Sequence, residues 1–170
     1  GDVSLPGMII GKILRSPHAH ARIKSIDITD ALAISGVHAV ITGEDFPGGG
    51  ISGEIDGEGG GSISDQAKNV IARDKVLYHG HALAAVAAIS DRAADRALDA
   101  IKVEYEVLSP VLDILEAIDP DSVLVNENNY TKLPEKPDRP SNIANVGNLV
   151  RGDIQEGFER ADVVIEREYV

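Results

Sequence analysis

The stretch ALAAVAAISDRAADRALDAIKVEYEV, residues 82–107, decides the fold class. Its first eight residues are apolar at both parities, which predicts a strand with both faces covered. Ala94, Ala97, Leu98 and Ile101 then recur at helical spacing within residues 91–101, with Arg92, Asp95, Arg96 and Asp99 on the other side. Ser90 or Asp91 stands where a side chain caps the first amides. Residues 102–107 alternate strictly, with Val103, Tyr105 and Val107 inward and Lys102, Glu104 and Glu106 outward. Strand, helix and strand in so short a span predict a crossover unit, its two strands parallel and right-handed within a mixed sheet. The class is α+β.

Upstream, residues 8–14 and 21–28 read as two more strands with a turn at Ser16-Pro17 between them. In the second strand, Ala21 and Ile23 share one parity while Ile26 and Ile28 share the other. That slip predicts a bulge near Lys24-Ser25, because side chains alternate faces along a strand. Residues 30–35 read as a helical turn stopped by Gly36, and residues 37–42 as a largely buried strand. Residues 75–79 read as a strand joined through Gly80 to the apolar run at 82–89. Residues 47–64 are rich in Gly and acid, which predicts a mobile surface loop.

Downstream, residues 113–118 and 153–161 read as helices. Between them, Pro120, Pro134, Pro137 and Pro140 with many Asn predict an extended arm. Residues 163–170 read as a strand within which the sequence stops, so further polypeptide is expected beyond Val170. The division is then a core at 1–118, an arm at 119–148, and a helix and strand at 149–170 leading into further protein.

The aromatic fraction is only 4% and Trp is absent, so the core must be built from Ala, Val, Ile and Leu. Asp+Glu 28 against Lys+Arg 16 gives a net charge of −12, a field that repels nucleic acid. Lys12, Arg15, Arg22 and Lys24 stand in residues 3–26 without an acid among them. They form either a solvated surface or a docking face for another domain. With no cysteine, this chain holds neither a disulfide nor an iron–sulfur cluster on Cys thiolates. The longest apolar run is too short to span a bilayer, and no secretory pattern opens the chain. A cytoplasmic setting is expected.

Several short stretches stand in a telling order. Leu5-Pro-Gly-Met8 is followed by Leu14-Arg-Ser-Pro-His-Ala-His-Ala-Arg-Ile23, then by Gly36-Val37, Ala39-Val40 and Asp45. Val76-Leu-Tyr-His-Gly80 with Ala84 to Val86 comes next, then Val103-Glu-Tyr-Glu106, Gly152-Asp153, Phe158 and Ala161-Asp162. Over residues 5–170 this order resembles the N-terminal hammerhead domain of the large, molybdenum-binding subunit of the xanthine dehydrogenase/aldehyde oxidase family. The resemblance implies an α/β-hammerhead fold in the scaffold of an oxidoreductase acting on aldehydes, purines or N-heterocycles. It implies molybdopterin with molybdenum in the later domains of the large subunit, with iron–sulfur clusters, and often FAD, elsewhere. The implied partners are those remaining domains and the iron–sulfur and flavin subunits or domains. In that family the catalytic glutamate and the cofactor loops lie beyond the hammerhead. No residue here is therefore carried over as catalytic, cofactor-binding or metal-ligating. One departure stands out: the family commonly has Gly-Gln-Pro where this chain has Gly80-His81-Ala82.

Other chemistry is weighed on the residues themselves. His18/His20 and His79/His81 are i, i+2 pairs that would share a strand face and offer ligands to a divalent metal. Asp56 and Glu58 begin like a calcium loop but lack its closing Glu. Residues 57–61 resemble a nucleotide loop without its strand, helix or Lys. Ser16 near His18 is too common a pairing to mark a nucleophile, and Glu104 and Glu106 read as solvated. Asn129-Tyr-Thr131 matches a glycosylation sequon, without consequence unless the chain is secreted. Three readings follow: a non-catalytic structural domain of a larger hydroxylase, a free-standing binding module of the same fold, and a metal-binding module. The first implies exposed apolar surface and a tendency of the isolated chain to self-associate.

Overall fold

The computed structural model describes residues 5–46, 54–55, 61–62, 70–133, 135, 137–167 and 169. Its strands are β1 (Ile10–Arg15), β2 (Ala21–Asp27), β3 (Val37–Thr42), β4 (Glu54–Ile55), β5 (Gly61–Ser62), β6 (Lys75–Val76), β7 (Ala82–Ala88) and β8 (Lys102–Val107). Its helices are α1 (Thr29–Leu32), α2 (Asp91–Ala100), α3 (Ile114–Ile118) and α4 (Ile154–Glu159).

β7 is the centre of one sheet, flanked by β1 and β3, and β2 is the centre of a second, flanked by β6 and β8. Every pairing of named strands among the described residues is antiparallel, and an isolated bridge between Lys132 and Asn145 is parallel. The α+β class and the strand–helix–strand order of residues 82–107 hold. The parallel pairing expected of β7 and β8 in one mixed sheet does not. Both edges of β7 are already taken, so α2 carries the chain across to β2, where β8 finds a free edge. The two hydropathy patterns largely match these places: β7 is buried or half-buried at both parities, and β8 alternates from Lys102 to Glu106, but Val107, expected inward, is exposed at the strand's end.

β7 serves two cores. Ala84, Val86 and Ala88 face α1 and α2, packing with Ala31, Val40, Ala93, Ala94, Ala97 and Ile101. Leu83, of opposite parity, packs with Ala21, Ala72 and Val76 on the other side. Leu14, Ile26 and Val103 touch both clusters and join them. Alanines at the α2–β7 contact let helix and sheet approach closely, which is how a core with so few aromatic rings fills its space. Ser90 caps α2, its hydroxyl accepting from the Ala93 amide at 3.3 Å.

The slip in β2 is present, the β8 register shifting between Ile23 and Ser25. Gly36, at φ +91°, stops the turn begun by α1, a conformation that L side chains rarely adopt. β3 is less buried than expected, with only Val40 and Thr42 inside. It pairs with β7 alone, and as an edge strand it leaves the face carrying Ile41 half open. The strand expected at 75–79 shortens to β6, because the chain turns at Tyr78 to Gly80 (Gly80 φ +84°). Within the glycine-rich stretch β4 and β5 form a small ladder, and the rest of 47–64 lies outside the described residues.

Among its described residues the arm at 119–148 carries no helix or named strand, yet it is not simply extended. It doubles back on itself through Lys132 N–H to Ala144 O (3.0 Å) and Ser141 N–H to Asn129 O (2.9 Å). Asn and Thr side chains satisfy backbone groups that would otherwise demand a sheet, which is how Pro-rich chain becomes ordered. No strand forms over residues 163–167, where Val163, Val164 and Ile165 are exposed. A strand needs a neighbour to accept its hydrogen bonds, and no neighbour lies beside it among the described residues.

Candidate functional site

The two most distinctive sequence stretches, residues 14–23 and 76–80, meet at one corner. The Ser16 amide donates to His81 O at 2.9 Å, and the Gly80 amide donates back to Ser16 O at 3.0 Å. Arg15 Nη1 also reaches Gly80 O, at 2.9 Å. Ser16 is buried, and its hydroxyl receives the His18 amide at 3.0 Å, fixing the turn that Pro17 begins. The bond thus runs from the His18 main chain, not its ring. That ring instead stands edge-on to Tyr105, centroids 4.8 Å apart, so Ser16 and His18 form no nucleophile–base pair. Burial raises the Tyr105 phenol pKa, opposed in part by a hydrogen bond with Ser16.

The other histidines serve the same corner. His20 is buried, and its Nδ1 lies 2.7 Å from Ser109 O, so Nδ1 carries the proton and donates. The Leu108 amide returns to His20 O at 3.0 Å, which anchors the chain leaving β8. His81 is fully buried, stacked on Tyr78 with centroids 4.4 Å apart, and its Nδ1 accepts the Leu77 amide at 3.3 Å. His79, by contrast, is exposed, because the strand ends before it. The expected pair His79/His81 is therefore split between solvent and core. Among the described residues no three His, Asp or Glu side chains converge as metal ligands. Asp56, Glu58 and residues 57–60 lie outside those described.

The basic stretch is mostly engaged within the chain. Lys12 Nζ bonds Asp95 at 2.6 Å and Asp91 at 3.3 Å, tying β1 to α2, and these partners raise its pKa. Arg22 and Lys75 converge on Glu127 Oε1 at 3.3 and 2.8 Å, fastening the arm to β2 and β6. The hydrogen bond from Lys75 lowers the Glu127 pKa, with both cations adding to it. The sequon is likewise internal. Asn129 Nδ2 donates to Ser141 O at 2.7 Å, and Thr131 is buried against Ser141 and Ile143. Asn142 went unnoticed in the sequence. It accepts from the Val125 amide (2.9 Å) and donates to Ala117 O (3.2 Å) and Val123 O (2.9 Å). No local pattern announces contacts of 17 to 25 residues' separation.

These groups hold the corner and the arm together. Several large apolar side chains, by contrast, face outward. α3 and α4 bury no residue, and Leu112, Ile114, Leu115, Ile154 and Phe158 are exposed.

The sequence profile of the family described as "Aldehyde oxidase and xanthine dehydrogenase, a/b hammerhead domain" matches residues 1–109. The chain belongs to that family. The hammerhead chain is 36% identical over 168 residues to a probable xanthine dehydrogenase component of Bacillus subtilis, covering 99% of itself and 20% of that protein. It is 34% identical over 168 residues to the nicotinate dehydrogenase large molybdopterin subunit of Eubacterium barkeri, covering 99% of itself and 35% of the relative. Among solved structures it matches quinoline 2-oxidoreductase from Pseudomonas putida 86 with a TM-score of 0.59 at 35% identity. That match covers 71% of the hammerhead chain and 15% of the other. The chain thus spans only a fifth to a third of the length of these curated relatives. No described helix is long and apolar enough to cross a membrane.

Proposed function

We propose that this hammerhead chain is a structural, non-catalytic part of the large subunit of a molybdenum-dependent hydroxylase, working in the cytoplasm. In this reading the intact enzyme oxidises an aldehyde, a purine or an N-heterocycle. Residues 1–118 are the hammerhead core, 119–148 a fastened arm, and 149–170 the passage to the molybdopterin-binding region. Its partners are the remaining domains of the large subunit and the iron–sulfur and flavin subunits or domains.

The observation that carries this reading is the pairing of a hydrogen-bonded core with helices that bury nothing. α3 and α4 present their apolar side chains to solvent. Exposed apolar side chains gathered on a helix fit a face that other protein covers, which supports the structural role over a free-standing module. The described residues do not fit a pterin–metal group. His20 and His81 each commit Nδ1 to a backbone partner, and among the described residues no three His, Asp or Glu side chains converge. Molybdenum chemistry therefore belongs to protein other than these residues.

The native polypeptide tests this reading. Probed in extracts of the source cells with an antibody raised against residues 70–118, it is expected to be far longer than 170 residues. A native product of this length, with no associated chain supplying the remainder, overturns the reading.

A further inference from the structure

The ridge formed by α3 and its flanks is an exposed apolar feature that side-chain hydrogen bonds hold in place. Leu112 and Ile114 are 81% and 78% exposed, and Leu115, Ile118 and Val123 are exposed with them. A five-residue helix that buries nothing has little stability of its own. Here it is braced from both ends. Asp113 Oδ1 accepts the Leu115 and Glu116 amides at 2.8 and 2.9 Å, and Asn142 ties Ala117 O and Val123 O to the arm. The arm is in turn fastened to β2 and β6 through Glu127. Four side-chain bonds thus keep apolar groups presented to solvent.

The ridge segment itself carries one sign of charge. Residues 112–123 hold Asp113, Glu116, Asp119 and Asp121 with no Lys or Arg, while Lys75 and Arg22, at the flank, are engaged by Leu124 O and Glu127. Such a field disfavours anionic lipid and nucleic acid and attracts a cationic protein surface. Resting on the reading that this chain is part of a larger assembly, we infer that the α3 ridge docks a protein surface with an apolar centre and a Lys/Arg rim. Asn142 is the positioning residue that holds the ridge ready. Preformed geometry spares the ordering entropy at docking.

Three synthetic amphipathic peptides of about 18 residues, five turns of helix, test this: one of Leu and Lys, one of Leu and Glu, and one of Ser and Lys at the same spacing. Fluorescence anisotropy with the full 170-residue chain is expected to show the Leu/Lys peptide binding at least tenfold tighter than either other. The gap should narrow in high salt. The triple variant I114S/L115S/I118S is expected to lose that tenfold preference while keeping its melting temperature, since α3 contributes nothing to the core. N142A should weaken binding less, through loss of the brace. Equal binding by the triple variant, or equal binding of the Leu/Glu peptide, overturns the inference. So does self-association that the triple variant abolishes and the Leu/Lys peptide fails to displace, which would make a second copy the occupant. A native polypeptide of full enzyme length with no Leu/Lys preference sinks this inference and leaves the assembly reading standing.

Discussion

The Ser16 amide donates to the carbonyl of His81 at 2.9 Å, and this bond between distant parts of the chain closes the corner where the two sheets meet. His81 completes it from inside, accepting the Leu77 amide and stacking on Tyr78. His81→Ala should leave that amide without its acceptor and open a cavity, lowering stability by about 2–4 kcal/mol. His81→Gln, the residue the family commonly carries, retains an acceptor and should lose no more than about 1.5 kcal/mol, the stacking contribution. Urea unfolding of both variants checks the order; Ala and Gln behaving alike would deny the acceptor its role.

Leu83 is the one large side chain of β7 that faces the second sheet, and it is fully buried. Leu83→Ala should cost about 2–5 kcal/mol. The matching change at Leu115, exposed on α3, should fall within about 0.5 kcal/mol of the parent. Thermal melts of the pair measure the difference, and equal losses would mean that the core has been misplaced.

Two glycines, Gly11 in β1 and Gly43 in the 3-10 turn (Gly43–Asp45) after β3, make opposite demands. A Cβ at Gly43 would lie 2.8 Å from Ala72 O and from the Cα of Arg73, both backbone atoms that cannot step aside. A Cβ at Gly11 would meet nothing within 4 Å. Gly43→Ala should therefore lower stability by about 1–3 kcal/mol, whereas Gly11→Ala should leave it unchanged or slightly higher. Circular dichroism melts decide, and a harmless Gly43→Ala would contradict the close approach of the 3-10 turn after β3 to the segment before β6.

Glu127 fastens the arm, and its pKa is lowered in the folded chain chiefly by the hydrogen bond from Lys75. Its contribution is therefore present above the ordinary carboxylate value, about 4.3, and fades as pH falls below that value toward the lowered one. Glu127→Gln should destabilise by less than about 1 kcal/mol at neutral pH, as for a largely exposed pair. The gap should close at acid pH. A gap that stays constant from neutral to acid would remove the charge from the explanation.

Much of this architecture was legible wherever the pattern is local. The bulge in β2 followed from the parity slip between Ile23 and Ile26. The limits of α2 followed from Ser90 and the Ala94–Ile101 stripe, and the two-faced burial of β7 from its unbroken apolar run. Pairing was not legible. Hydropathy says that β8 needs one buried face but not whose edge it takes, and the choice of β2 over β7 depends on β1 and β3 having filled both edges of β7. The arm escaped for a related reason. Asn129, Thr131 and Asn142 order it through bonds to distant backbone, and Pro and Asn content alone reads as extended chain. The corner at Ser16 and His81 could be named as two stretches, while the contact between them is too remote along the chain for any local pattern to announce.

The purified 170-residue chain, assayed for metal content by mass spectrometry and for oxidation of aldehyde and purine substrates with an artificial electron acceptor, gives the most direct test of a scaffold without chemistry of its own. No bound molybdenum and no turnover are expected, because among the described residues no three His, Asp or Glu side chains converge as metal ligands. Stoichiometric molybdenum together with substrate oxidation by this chain alone would contradict it.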